Sequence, residues 1–165
     1  MLRLSKKTDY ALMAMKHLAF DPQRRTASAR AIAERYDVPI ELMAKVLTRL
    51  VRSGLLVSHH DVHGGYELAQ PPAATSVAAV LEAIDGPLTM TACTHGDDRC
   101  DQFSKCNVRD PLRRIRDRIA AILAECSISE IAAAADPGPS APPVTVMPSP
   151  VVRRASALSA ASREP

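Results

Sequence analysis

Aromatic residues are nearly missing from this sequence: they make up 3% of 165 residues, with two Phe, three Tyr and no Trp. A core must therefore be built from Leu, Ile, Val, Ala and Met, which suits packed helices better than a sandwich or barrel. Long apolar runs are also lacking. No stretch approaches the roughly 20 residues that a membrane-spanning helix needs. The start, MLRLSKKTDYAL, has neither an uninterrupted apolar stretch nor a small-residue cleavage site. The expectation is a cytoplasmic protein with no membrane association. A phosphate-binding loop, a nucleophile elbow and a paired catalytic base are absent too, so nothing points to an enzyme.

What is present is unevenly distributed. Residues 1–70 hold eleven Lys/Arg against seven Asp/Glu, with His17, His59, His60 and His63 in addition, whereas residues 71–135 hold seven against nine. A basic first half followed by a slightly acidic second half suggests an anion-binding module joined to something else. From Asp136 onward Pro, Ser and Ala dominate and no periodicity survives, so residues 135–165 read as a disordered tail.

Between the start and the tail the hydrophobic pattern is helical. Leu12, Met15 and Leu18 predict a helix from residue 5 to about 20, with Ser5 as N-cap and Asp21-Pro22 as the stop. A second helix fits about 28 to 36, beginning at Ser28, and Asp37-Val38-Pro39 breaks it. In a third, about 40 to 53, Leu42, Val46, Leu47 and Leu50 share one side. Glu41, Lys45, Arg49 and Arg52 fall largely on the other, with Gly54 just past the end. Leu55–Ser58 and Tyr66–Ala69 read as two strands around a loop containing Gly64-Gly65. Helix, short helix, turn, helix, hairpin is the order of a winged helix-turn-helix. A further short helix fits about 76 to 84. From Asp110-Pro111 a long helix is expected to run to Ile131, with Leu112, Ile115, Ile119, Ile122, Leu123 and Cys126 in one apolar stripe. Such a stripe needs a cover, and a second copy of the chain supplies one. The predicted fold is mainly α, in four parts: a winged helix-turn-helix at 1–72, a short helix and cysteine loop at 73–109, a dimerisation helix at 110–134 and the tail.

A helix-turn-helix places its last helix in a major groove. Ile40, Glu41, Ala44 and Lys45 are the candidates for base edges. Arg3, Lys6, Lys7, Arg30, Arg49 and Arg52 are candidate phosphate contacts, which position the protein without reading sequence. Ser28 at the start of the second helix and His60 and His63 at the wing tip complete the set. The same residues also fit a solvated basic face on a three-helix core, and the three wing histidines fit a solvated turn.

Residues 93–106, CTHGDDRCDQFSKC, place three cysteines in a polar segment whose one large apolar residue is Phe103. Thiols in such surroundings need a partner other than packing. In a reducing compartment that partner is more often a metal or a redox function than a structural disulfide. The spacing C-x6-C-x5-C at Cys93, Cys100 and Cys106 is longer than the C-x2-4-C pairs of zinc sites, and His95 lies awkwardly close to Cys93 for a fourth ligand. Iron–sulfur clusters tolerate varied spacing. A cluster, zinc and redox thiols all stay open on spacing alone. Cys126, on the apolar stripe, reads as a small core residue. Asp9 is either a helix-dipole complement or an oxygen ligand.

LRLSKKTDYAL, AIAERYDVP, LTRLVRSGLLVS, GGYELAQPP and AVLEAIDG, followed by the three-cysteine loop, together resemble the IscR/NsrR (Rrf-two) family of bacterial regulators over about residues 1 to 130. The resemblance implies a homodimeric winged-helix transcription regulator acting on double-stranded promoter DNA. It implies one iron–sulfur cluster per subunit (2Fe-2S or 4Fe-4S) on Cys93, Cys100 and Cys106, reporting on cluster supply, nitric oxide or redox state. Some members use a His three residues after the last cysteine, where this chain has Arg109. Others use an early aspartate of the partner subunit, a position that Thr8-Asp9 matches, so Asp9 is the expected fourth ligand. The chain departs from the family in a first cysteine gap one residue longer than usual. It departs also in the wing, where His60-Asp61-Val62-His63-Gly64-Gly65-Tyr66 replaces R-G-P-G-G-G-Y.

Overall fold

The computed structural model describes residues 4–20, 26–60, 64–90, 102 and 105–133. Arg3, His63, Cys93, Cys100, the Asp21-Pro22 stop and the tail therefore lie outside the described residues.

The first helix, α1 (Lys6–Phe20), opens where Ser5 accepts a hydrogen bond from the Thr8 N–H through its hydroxyl (3.3 Å). It buries Thr8, Ala11, Ala14, Met15 and Leu18, a face at steps of three and four residues or their neighbours. The second helix, α2 (Ala29–Arg35), is capped by Ser28, whose Oγ accepts from the Ala31 N–H at 3.1 Å. Its end is a Schellman-type closure. Asp37 takes the left-handed conformation (φ 52°), and the Val38 N–H donates to the Ala33 carbonyl at 3.0 Å. Aspartate tolerates that region better than most residues. The third helix, α3 (Ile40–Arg52), buries Met43, Val46, Leu47 and Leu50 and ends in the same way, now with Gly54 at φ 77° and the Leu55 N–H on the Leu50 carbonyl.

The wing pairs β1 (Leu56–His59) with β2 (Gly65–Leu68) antiparallel, Leu56 opposite Leu68 and His59 opposite Gly65. Both strands sit one residue from the expected bounds, because the Leu55–Ala69 contact is a single hydrogen bond at the hairpin's base. The sequence pattern did not show a third participant. Ala27, just before α2, exchanges backbone hydrogen bonds with Tyr66 at 3.1 and 2.9 Å. Gly65 allows this approach, since a Cβ there would lie 2.7 Å from the Ala27 carbonyl oxygen.

After a 3-10 turn at Pro72–Ala74 comes α4 (Val77–Asp85), capped by Ser76, whose Oγ accepts from the Ala79 N–H. The expected continuous helix to Ile131 is instead two helices, α5 (Arg109–Glu125) and α6 (Ile128–Ala133). The interruption has a physical cause. Ser127 meets Ser76 in a short antiparallel bridge, with the Val77 N–H on the Cys126 carbonyl (2.8 Å) and the Ile128 N–H on the Thr75 carbonyl (2.9 Å). Turning the chain there packs α6 against α1 and buries Ile128 completely, worth about 1.5–3 kcal/mol. Cys126 is thus the half-buried residue ending α5 rather than part of a packed stripe.

Met15, Ile32, Met43, Leu47, Leu50, Val80 and Ile128 are the large fully buried apolar side chains, and Tyr10, Tyr36 and Tyr66 pack only at the margin. The core is aliphatic and methionine-built, as the missing aromatics required. The fold is mainly helical with a two-stranded wing.

Candidate nucleic-acid interface

The inward side of α3 is committed to the core, which leaves its other side exposed by geometry. Glu41, Lys45, Thr48, Arg49 and Arg52 are exposed there, Ala44 is half-buried, and Ile40 at the helix start keeps 42% of its surface. Glu41, Lys45, Thr48 and Arg52 follow at steps of four, three and four, so they form one stripe. Thr48, which the sequence reading passed over, lies within that stripe. Its hydroxyl donates to the Ala44 carbonyl at 2.8 Å and still has lone pairs facing outward.

The stripe borders a cleft of about 880 Å³ whose other walls are Lys7 of α1 and Ala83 and Ile84 of α4. Lys7, Lys45, Arg49 and Arg52 all reach it. Among the described residues none of Lys6, Lys7, Lys45 and Arg52 makes an ion pair within 4.0 Å. Lys7, Lys45 and Arg52, without ion pairs among the described residues, and Arg49 gather around one open cleft against the single carboxylate of Glu41, which makes a surface for a polyanion. Arg30 and Ser28 are exposed on α2, and the Ser28 hydroxyl is already engaged in capping that helix. In the wing, His59 Nε2 meets Glu67 Oε2 at 3.0 Å, while His60 is exposed.

One arrangement had no signal in the sequence analysis. Asp85, the last residue of α4, accepts hydrogen bonds from the Ser5 hydroxyl (2.7 Å), the Ser5 N–H (3.3 Å) and the buried Thr8 hydroxyl (2.6 Å). Burial, the largest influence, pushes the carboxyl upward. The bonds from Thr8 and Ser5, with the charge of Arg49, outweigh it and hold Asp85 below the ordinary carboxylate range. An AID-G string resembles any helix end, so only the fold reveals the pairing.

Cys106 is a free, half-buried thiol just before α5. Asp9 is exposed in the first turn of α1, where its backbone N–H donates to the Ser5 carbonyl. Among the described residues no group of three potential ligands converges. The structure therefore brings the cationic residues of α1 and α3 together, while among the described residues Asp9 and Cys106 belong to no such group of three and Cys93 and Cys100 lie outside those residues.

The family model described as an iron-dependent transcriptional regulator, Rrf2, matches residues 4–134. The chain belongs to the Rrf2 family. It is a DNA-binding transcriptional regulator and not an enzyme. A Mycobacterium tuberculosis HTH-type transcriptional regulator is 31% identical over 136 residues, covering 82% of this Rrf2 chain and 84% of that relative. The HTH-type regulator IscR of Yersinia pseudotuberculosis is 28% identical over 130 residues, 79% of each chain. Among solved structures, the global cysteine regulator CymR of B. subtilis superposes with a TM-score of 0.68 at 24% identity, covering 82% of this chain and all of that one. IscR of T. potens gives 0.65 at 21% identity, covering 86% and 93%. At those identities the two structures bear on the fold, which they share with this Rrf2 regulator. No helix among its described residues is long and apolar enough to cross a membrane.

Proposed function

We propose that this Rrf2 regulator is a homodimer that reads double-stranded promoter DNA with α3 and the wing, and that an iron–sulfur cluster, 2Fe-2S or 4Fe-4S, controls its affinity. The observation that carries the DNA interface is the unpaired cationic stripe of α3 together with Lys7 across the cleft. Lys45, with Ile40, Glu41, Ala44 and Thr48, faces the groove. Lys6, Lys7, Arg30, Arg49 and Arg52 take phosphates, with Arg3, Ser28, His60 and His63 at the edges. Residues 1–72 act as the DNA-binding unit, 73–109 as the cluster segment and 110–134 as the dimer element.

The donor set fits a cluster. Cys106 is a free thiol with solvent access, Cys93 and Cys100 lie within the same fourteen-residue segment, and thiolates are the standard cluster ligands. Asp9 of the other subunit is the fourth ligand: its carboxylate is exposed and without an intramolecular partner among the described residues. Arg109 is always cationic and cannot take the part of a histidine ligand. When bound, the cluster supplies chemistry sensitive to oxidants and nitric oxide. Asp9, in the turn that carries Lys6 and Lys7, ties that chemistry to the DNA-binding face. The IscR relatives support this reading, and the free thiol of Cys106 beside two further cysteines in sequence keeps a dithiol switch as the second one.

Anaerobic purification followed by absorbance, iron and acid-labile sulfide assay tests the reading. A brown protein holding iron and sulfide is expected, colourless after Cys106→Ala and with a labile or spectrally altered cluster after Asp9→Ala. Colourless wild-type protein with stoichiometric zinc, or with none, overturns it. If Asp9→Ala matches wild type in spectrum, lability and DNA response, Asp9 is a helix-dipole residue only.

A further inference from the structure

The placement of Asp85 runs against local electrostatics. A carboxylate at the last residue of α4 meets the negative end of that helix's own dipole, where cations are favoured. Its position makes sense only from the other side. The same carboxylate lies at the positive end of α1, and both its oxygens receive donors from that helix's first turn. Thr8, one of those donors, has no exposed surface and spends its hydroxyl on this contact. Asp85 thus braces the Ser5 cap from another element, accepting the N–H and hydroxyl of Ser5 and the hydroxyl of Thr8, seventy-seven residues away.

The clasp has a cavity on each side. Ala83 and Ile84, directly before Asp85, wall the cationic cleft with Lys7 and Arg49. Asp85 itself, with Leu4, borders a second groove of about 480 Å³ formed with Gly86–Thr89 and the Arg116, Ala120 and Leu123 side of α5. The segment leaving that groove leads toward the cysteines. We propose that Asp85 is a positioning residue for DNA binding: it holds the first turn of α1 so that Lys7 stays beside α3, and it joins that turn to the segment preceding the cysteine loop. The proposal rests on the DNA-binding reading of the α1–α3 face and adds the element that sets its geometry.

Simple electrostatics and the clasp predict opposite signs, which makes the test sharp. Removing an anion beside a DNA-binding cleft should by itself raise affinity. Asp85→Asn removes the charge and replaces one acceptor by a donor, so at most part of the clasp survives. In the full-length protein we expect promoter-fragment affinity to fall about tenfold, the scale of one lost charge-assisted bond. The salt slope should fall by up to about one as Lys7 leaves its phosphate. A cycle with Lys7→Ala separates positioning from general weakening. In the Lys7→Ala background Asp85→Asn should cost little more, whereas unrelated damage would multiply. Thr8→Val removes a single hydroxyl donor, leaves the Ser5 cap in place and should give the same loss at reduced size. It decides the question should Asp85→Asn fail to fold.

Unchanged or increased affinity in Asp85→Asn, or a loss that multiplies fully with that of Lys7→Ala, overturns the proposal. Lys45→Ala and Arg49→Ala serve as the reference. If they weaken binding and Asp85→Asn does not, the clasp fails and the interface stands. If none of the three weakens binding, the interface itself is misplaced.

Discussion

Helices α3 and α5 are both amphipathic, but the chain finishes one and leaves the other open. In its 13 residues α3 buries Met43, Val46, Leu47 and Leu50, and a glycine-based closure ends it. In its 17 residues α5 buries none: Ile115 remains 45% exposed and Ile122 65% exposed. Packing of α5 within the chain is confined largely to α4 and uses the Ala120 and Leu123 side. The contrast separates two kinds of apolar stripe. One is consumed by the intrachain core and presents its polar back to a ligand. The other has charges around it, half-buried Leu112, Ile119 and Leu123 along its length and exposed Ile115 and Ile122 at its crest, which is the arrangement an isologous helix pair completes.

The largest expected effect breaks the open helix. Glu at both Ile115 and Ile122 would bury two carboxylates without partners in the proposed interface, at a cost of several kcal/mol. Sedimentation should show a monomer, with helical content little changed because neither residue belongs to the monomer core. An unchanged dimer would place the interface elsewhere.

The same logic inverted applies to α3. Leu50→Ala removes a side chain with no exposed surface from a closed core and should destabilise the protein by about 2–5 kcal/mol. Ile122→Ala, in protein dilute enough to be monomeric, should cost much less. Urea titration of both variants sharpens the comparison, and equal losses would mean that α5 is as well packed in the monomer as α3.

How much of this was legible beforehand follows the same division. Helix starts were readable because Ser5, Ser28 and Ser76 are local caps, and the end of α3 was readable because Gly54 is the residue a left-handed turn favours. Local signals failed where a distant backbone decides the outcome. The α5–α6 break depends on Thr75 and Ser76 pairing with the chain at Cys126–Ile128, and neither serine nor cysteine announces it. The third partner of the wing, Ala27, is likewise invisible without Tyr66 in place. For the interface, the cations could be listed from charge counts, but their gathering around one cleft needed the α1–α3 crossing. Thr48 was missed because a threonine between Leu47 and Arg49 carries no charge to attract notice.

A smaller effect tests the closure of α3 itself. Gly54→Ala forces a Cβ into φ 77°, although no atom lies within 4 Å to clash with it. The cost is therefore purely conformational, about 1–2 kcal/mol, and should appear as a lowered urea midpoint with unchanged slope. Gly65→Ala differs, because its φ is ordinary and its added carbon meets the Ala27 backbone. A loss there should come with altered wing geometry, visible as weakened DNA binding out of proportion to stability.

The smallest effect concerns pH, and its sign follows from the clasp. Asp85 is held below the usual carboxylate range in the folded protein, after burial has pushed it up and the Thr8 and Ser5 bonds and Arg49 have outweighed that push. A depressed carboxyl contributes stability that is fully present above its unfolded value, about pH 4. That stability disappears as pH falls through the still lower folded value. At neutral pH the contribution is therefore constant, and it fades only in acid. The side chain is largely exposed, so solvent screening keeps the size modest. Asp85→Asn should be less stable than wild type at pH 7, and the two stability curves should approach one another as pH drops below about 4. Parallel curves through that range would mean that the carboxylate gains nothing from its three donors. The bonds to Ser5 and Thr8 would then be a consequence of how α1 and α4 meet rather than a cause of it.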